Sequence, residues 1–223
     1  MENKAYLKGN DYDGKVRQVI PYYDEILTQV TDIVDILGLK EISWLDTGGG
    51  SGTLLNKAFK NFGNIRRAVL CDPSEKMLET AEKKLAEHNV EYRQCFSHEL
   101  DYIGEFDVVT AIQCHHYYSD MEQKKMAVSK CYESLKDNGI YITFENTAPF
   151  TETGKNILLR RLEKYGLAHG REEAEVKNHS ERYGTEFFPI TVEQQLEMLR
   201  NCGFRTAEVF WLSYMQAGFY AIK

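Results

Sequence analysis

Asp46 is followed by glycine at positions 48, 49, 50 and 52, in the stretch WLDTGGGSGTLL. Residues of this type and spacing can do one particular thing. Without a Cβ, glycine lets backbone amides lie directly against a ligand and accepts the left-handed turns of a tight loop. The helical pattern TLLNKAFKNF follows, and the N-terminus of a helix favours anionic groups. A second carboxylate, Asp72, stands 26 residues after Asp46, behind the apolar run RRAVLC. An acid at such a strand end is placed to accept both hydroxyls of a ribose. The spacing D-x-G-x-G-x-G is not the dinucleotide G-x-G-x-x-G, and no Gly-Lys-Ser or Gly-Lys-Thr follows. Neither a pyrophosphate nor a nucleoside triphosphate is therefore the expected ligand. Taken alone, the glycines also fit a tight strand–helix turn with no ligand at all.

Acid–base chemistry is offered by QCHHYYSD (113–120). His115 and His116 are neighbours, so on a helix they diverge by about 100° and cannot share one role. Histidine titrates near neutrality, which suits a base but also a capping or packing group. Glu145, at the end of GIYITFE, could act as a base or as a cap for loop amides. Tyr22, Tyr117, Tyr183 and Trp211 could wall an aromatic pocket for a flat or cationic substrate, and each could equally serve packing. No acidic ligands flank the histidine pair, so no metal is expected.

These residues need a frame to hold them. EISWLD (41–46), RRAVLCD (66–72), VEYRQC (90–95), FDVVTAI (106–112) and GIYITFE (139–145) read as strands. Between them come the helical patterns 53–62, 74–88 and 121–137, with Ser74 in N-cap position. Strand alternating with helix predicts a doubly wound α/β fold, mostly parallel, with helices on both faces. Residues 15–37 show helical spacing interrupted by Pro21, and 146–190 hold two charged helical pieces without a strand. A helix over 191–204 and two closing strands, RTAEVFWLSY and MQAGFYAIK, complete the chain, the strands expected antiparallel. The expected arrangement is one domain over 1–223. It has a helical cap (1–40), a core (41–145 and 191–223) and a helical lid (146–190).

The 223 residues can bury a substantial core, and 43% hydrophobic with 27% charged content is that of a soluble globular chain. No apolar run approaches the roughly 20 residues of a membrane span, and the polar start does not read as a signal peptide. Net charge is −7 and Lys/Arg never run beyond two, which disfavours nucleic acid as a partner. Five cysteines without a CxxC pair suggest reduced thiols and a cytoplasmic protein.

WLDTGGGSG, AVLCDPSEKML, FDVVTAIQCHHYY and LKDNGIYITFE resemble, in order, the motifs of class I S-adenosylmethionine-dependent methyltransferases. The likeness spans about residues 14–223. VIPYYDEI, the segment 145–190 and the aromatic tail are similar more narrowly to carboxy-S-adenosylmethionine synthase and its methyltransferase relatives. The resemblance implies a Rossmann-like, seven-stranded sheet with an antiparallel C-terminal hairpin, and S-adenosylmethionine as cofactor. Carried onto this chain, it implies cofactor contacts at Tyr23, Gly48, Gly49 and Gly50, with Asp46 of the same motif. Asp72 and Pro73 would hold ribose and adenine, Phe96 and Ser97 would flank the adenine, and Ile112 would close over the methionine part. It also points to His116 as the histidine facing the site.

Two departures stand out. The synthase has an acid where this chain has Phe96. It also has an arginine, for the extra carboxylate of its cofactor, where ungapped register places Ser180, two residues before Arg182. A buried carboxylate without a partner costs several kcal/mol, so ordinary methyl transfer to a small-molecule acceptor is the expected activity. Positioning alone can supply roughly 7–11 kcal/mol of the barrier, so a catalytic base is optional. The alternatives are a carboxylated-cofactor synthase, a non-catalytic cofactor-binding protein and a nucleotide-dependent dehydrogenase. A homodimer fits as well as a monomer.

Overall fold

The computed structural model describes residues 12–223. Seven strands form one sheet in the order β3-β2-β1-β4-β5-β7-β6. The central strand β1 (Ile42–Thr47) pairs in parallel with β2 (Ile65–Cys71) and with β4 (Phe106–Ile112). Strand β3 (Val90–Arg93) adds to β2, and β5 (Leu135–Asn146) adds to β4, both in parallel. The final hairpin joins β6 (Thr206–Ser213) to β7 (Gln216–Ile222), and β7 runs antiparallel to both of its neighbours. Trp44, Leu45, Val69, Val108 and Val109 are fully buried. Such near-continuous apolar runs are what strands covered on both faces require.

Helices cover the two faces. One core gathers α2 (Tyr23–Ile36), α3 (Thr53–Asn61) and α4 (Glu75–Lys84) against the sheet through Ile26, Leu55 and Ala81. The other uses Val128 and Cys131 of α5 (Met121–Ser134) and Met198 and Leu199 of α8 (Val192–Asn201). The expected break at Pro21 separates α2 from α1 (Tyr12–Val19). Between β5 and α8 stand α6 (Glu152–Ala168) and α7 (Glu173–Glu181); a third, smaller cluster joins Leu162 of α6 to Tyr183 and Phe187 after α7 and to Met215.

Two boundaries differ from the sequence pattern. Helix α5 stops at Ser134, because Leu135 is drawn into the sheet opposite Phe106 and is fully buried there. The HHY stretch makes a single 3₁₀ turn, His115–Tyr117, and not an α-helix. Among the described residues no helix is long and apolar enough to cross a membrane.

Candidate active site

In the sheet order, connections leave in opposite directions from β1 and β4, and a crevice opens at the carboxyl ends of these strands. The glycine loop sits there, and its members do different things. Gly48, Gly50 and Gly52 all have positive φ, at 64°, 55° and 75°. A Cβ at Gly48 would meet Cys114 Cβ at 2.5 Å, where the loops after β1 and β4 cross. A Cβ at Gly49 would come 2.8 Å from Asp46 Oδ2 and 2.9 Å from Leu70 Cγ. Around a Cβ at Gly50 nothing stands within 4 Å, because that face opens into a cavity.

Two carboxylates underlie the loop. Asp46 is 1% exposed; its Oδ1 accepts the Thr110 hydroxyl at 2.7 Å, and Thr110 in turn accepts Trp44 Nε1–H at 2.9 Å. Its Oδ2 has no hydrogen-bond partner among the described residues, and burial pushes the carboxyl up to about 7. Asp72 accepts the Gly50 N–H on Oδ2 at 3.0 Å and the Ser74 N–H on Oδ1 at 2.9 Å. Burial raises it to about 6, with the two amides pulling the other way. Each Asp72 oxygen keeps a lone pair for a further donor.

The cavity measures about 190 Å³. Of the residues singled out in the sequence, Gly48, Gly50, Asp72, Pro73, Phe96, Ser97, Ile112, His116, Tyr117 and Tyr183 line it. The others do not. Asp46 and Gly49 are packed beneath the loop, and Tyr23 is buried in the α2 core. Tyr22 is half exposed and packs edge-on against Trp211 with ring centroids 6.1 Å apart, so both stand outside the wall. Glu145 lies behind His116. The wall also takes residues that the sequence did not single out as site contacts: Val16 and Val19 of α1, Met77, Tyr118, the hairpin tip Tyr214–Met215, and Arg182 and Phe187 after α7. Val19, Met77 and Tyr118 stand inside the quoted motifs, whereas Arg182 and Phe187 had only the position of the two extra helical pieces as a signal.

Behind the wall is a buried acid–base pair. His116 Nδ1 is 2.7 Å from Glu145 Oε2, with side chains 2% and 5% exposed. Glu145 also accepts the backbone N–H groups of His115 and His116, at 3.1 and 2.9 Å, and the Thr143 hydroxyl at 3.1 Å. Burial works against its charge, but His116, His115 and the amides hold it below the usual carboxylate value. His115 faces away, its Nδ1 3.2 Å from the Tyr141 hydroxyl, and burial lowers it to about 4. The segment after α7 is tied to this turn: Phe188 N–H donates to the His116 carbonyl at 2.7 Å, and the buried Lys124 ammonium donates to the Phe188 carbonyl. Among the described residues no cluster of histidine, cysteine and acids could hold a metal ion.

This arrangement matches a known domain. A family model described as a methyltransferase domain matches residues 45–139, which run from β1 to the start of β5 and contain both carboxylates and the histidine turn. Over these residues the chain carries a methyltransferase domain, and its fold is that of the class I S-adenosylmethionine-dependent methyltransferases. Among relatives of this chain, a protein of Nautilia profundicola named carboxy-S-adenosyl-L-methionine synthase is 25% identical over 213 residues, covering 95% of this chain and 90% of its own. Among solved structures, magnesium protoporphyrin IX methyltransferase from Synechocystis, with S-adenosylhomocysteine bound, superposes with a TM-score of 0.65 at 18% identity, covering 93% of this chain and 86% of its own. A possible histamine N-methyltransferase from Thermotoga maritima gives 0.64 at 15% identity, over 96% and 94% of the two chains. At these identities the two structures share the fold.

Proposed function

We propose that this chain transfers a methyl group from S-adenosylmethionine to a small-molecule acceptor. The observation that carries this reading is the open face of Gly50 in a cavity that also holds the Asp72 carboxylate. Backbone is presented without a side chain, and two acceptor oxygens stand where a ribose diol would bind. Pro73, Phe96 and Ser97 would hold the adenine, and Gly48, Gly50 and Ile112 the methionine end. Gly49 and Asp46 act from beneath, by closing the floor on which the loop rests. When bound, the cofactor supplies an electrophilic methyl group, and the protein's own task is to position the acceptor and exclude water. Residues 146–190 are the lid in this reading and α1 part of the cap; Leu162, Tyr183 and Phe187 of the former and Val16 and Val19 of the latter face the same cavity.

One observation favours a second reading. Arg182 is 5% exposed, lines the cavity and holds Glu186 through Nε and Nη2 at 3.0 and 2.9 Å. A guanidinium in the wall removes the objection drawn from Ser180, because a carboxylated cofactor would then find a charge partner two residues further on. Two measurements separate the readings. Thermal shift and calorimetry test S-adenosylmethionine binding; ligand at 100 times its Kd stabilises by roughly 2.7 kcal/mol. Mass spectrometry of small molecules released from the purified protein then identifies the resident form. A carboxylated cofactor supports the second reading, and no binding of either form defeats both.

A further inference from the structure

Glu145 receives four donors on two oxygens: the His115 and His116 amides, the Thr143 hydroxyl and His116 Nδ1. It does not line the cavity, so it cannot itself take a proton from an acceptor. His116 does line the cavity. An ionised carboxylate against Nδ1 makes that nitrogen the protonated one, and leaves Nε2 with its lone pair as the ring nitrogen available to the cavity. The residue is held at three points: its ring by Glu145, its peptide N–H by the same carboxylate, and its carbonyl by the Phe188 N–H. Beside it, Tyr117 packs at 4.5 Å and Phe187 at 5.4 Å between centroids, and Tyr183 is 5.3 Å from Phe187. The remaining titratable groups around the pair include His115, Lys124, His179, Arg182, Cys114, Cys131 and Tyr141.

We propose that His116, oriented by Glu145, is the base for an acceptor that is a hydroxyl carried on a flat aromatic ring. This rests on the methyl-transfer reading above. Thioethers and carboxylates already present a lone pair at neutral pH, and a buried, pre-oriented base would be idle with them. A phenolic hydroxyl must lose its proton, and an aromatic wall suits its ring. In the reaction the acceptor oxygen gives its proton to His116 Nε2 and its electron pair to the methyl carbon. The pair of the breaking carbon–sulfur bond stays on sulfur. The positive charge thus passes to the imidazolium, next to Glu145, and the proton then leaves to solvent. His116 is the catalytic residue here and Glu145 a positioning residue.

The test begins without turnover. In ¹⁵N-labelled wild-type protein at neutral pH, the histidine ring shifts should show His116 with Nδ1 protonated and Nε2 bare; the opposite tautomer overturns the proposal. Methyl-labelled S-adenosylmethionine is then offered with phenol, catechol, aniline, benzoate and thioanisole. Label is expected on the phenolic oxygens. His116→Asn should lower kcat by about 10²–10⁴-fold, with the Kd for S-adenosylmethionine unchanged by calorimetry. Label on aniline or thioanisole in preference, label on no member of the series, or a His116→Asn rate close to wild type each overturns it. Wild-type protein that binds no S-adenosylmethionine defeats the underlying reading, a result separable from all of these. Should His116→Asn not fold, the wild-type tautomer and acceptor preference still decide.

Discussion

Acid should loosen the cofactor through a single group, Asp72. Its carboxyl titrates at about 6 in the folded protein against an ordinary 3.8, because burial penalises the charge more than the Gly50 and Ser74 amides support it. Ribose hydroxyls donate to the ionised form. Affinity for S-adenosylmethionine should therefore be level above pH 6 and fall below it, approaching tenfold per pH unit. One unit below, about one carboxyl in eleven is ionised, which is a loss of about 1.4 kcal/mol. Calorimetric titrations across this range should show the bend. Asp72→Asn should bind more weakly and without the bend, since two charge-assisted hydrogen bonds are worth about 1.5–3 kcal/mol each. Asp46, at about 7, titrates nearby but behind Gly49, so Asp46→Asn should keep the bend. A flat profile in the wild type, or an unchanged bend in Asp72→Asn, would refute the assignment of Asp72 to the ribose.

Gly49→Ala should destabilise by about 1–3 kcal/mol in urea, because its methyl would press on Asp46 Oδ2 and Leu70. Gly50→Ala meets no atom; it should cost only the left-handed backbone, about 1–2 kcal/mol, and yet largely abolish cofactor binding in calorimetry. Glu145→Ala strands three buried donors, while the Thr143 hydroxyl keeps the Ala111 carbonyl, and should lower stability by about 3–5 kcal/mol, seen as an earlier urea midpoint. Burial holds His115 to about 4 and His179 to about 3, against an ordinary 6.5. The unfolded chain takes up those protons first, so both lose the fold stability as pH falls below 6.5. Asp46 and Asp72 are raised and act oppositely, costing stability as pH rises from about 4 through 6 and 7. Melting temperatures of Asp46→Asn against wild type should therefore diverge as pH rises through that window.

The core of the fold was legible because its signals are local. Apolar runs ending at Asp46 and Asp72 and the helical pattern after each fixed β1 to α4, and the closing pair of strands showed its tight connection. The glycine-loop end of the cavity was legible for the same reason: Gly48, Gly50 and Asp72 come from the ends of consecutive strands. The opposite end was not. Arg182, Phe187 and Tyr214 reach the wall only through the packing of α6 and α7 on the hairpin tip, which no periodicity encodes. Glu145 and His116 were visible as chemically capable residues. Their order, one behind the other, depends on the register of β5 on β4 and on the 3₁₀ turn. Tyr22 and Trp211 do meet, but on the outside.

Gly48-Gly49-Gly50 looks in the sequence like one uninterrupted unit, and a family profile would weight its three positions alike. Natural selection would not. Gly49 is held by the crowding of its own floor, so a more stable background, or a smaller neighbour at Leu70, opens it to alanine. Gly50 has room for a side chain at the cost of its left-handed backbone, and in the proposed reading it is held above all by the cofactor over it, which no gain in stability elsewhere relieves. In a lineage that gave up the reaction, Gly50 would answer only to its left-handed backbone, while Gly49 would still answer to Asp46 and Leu70.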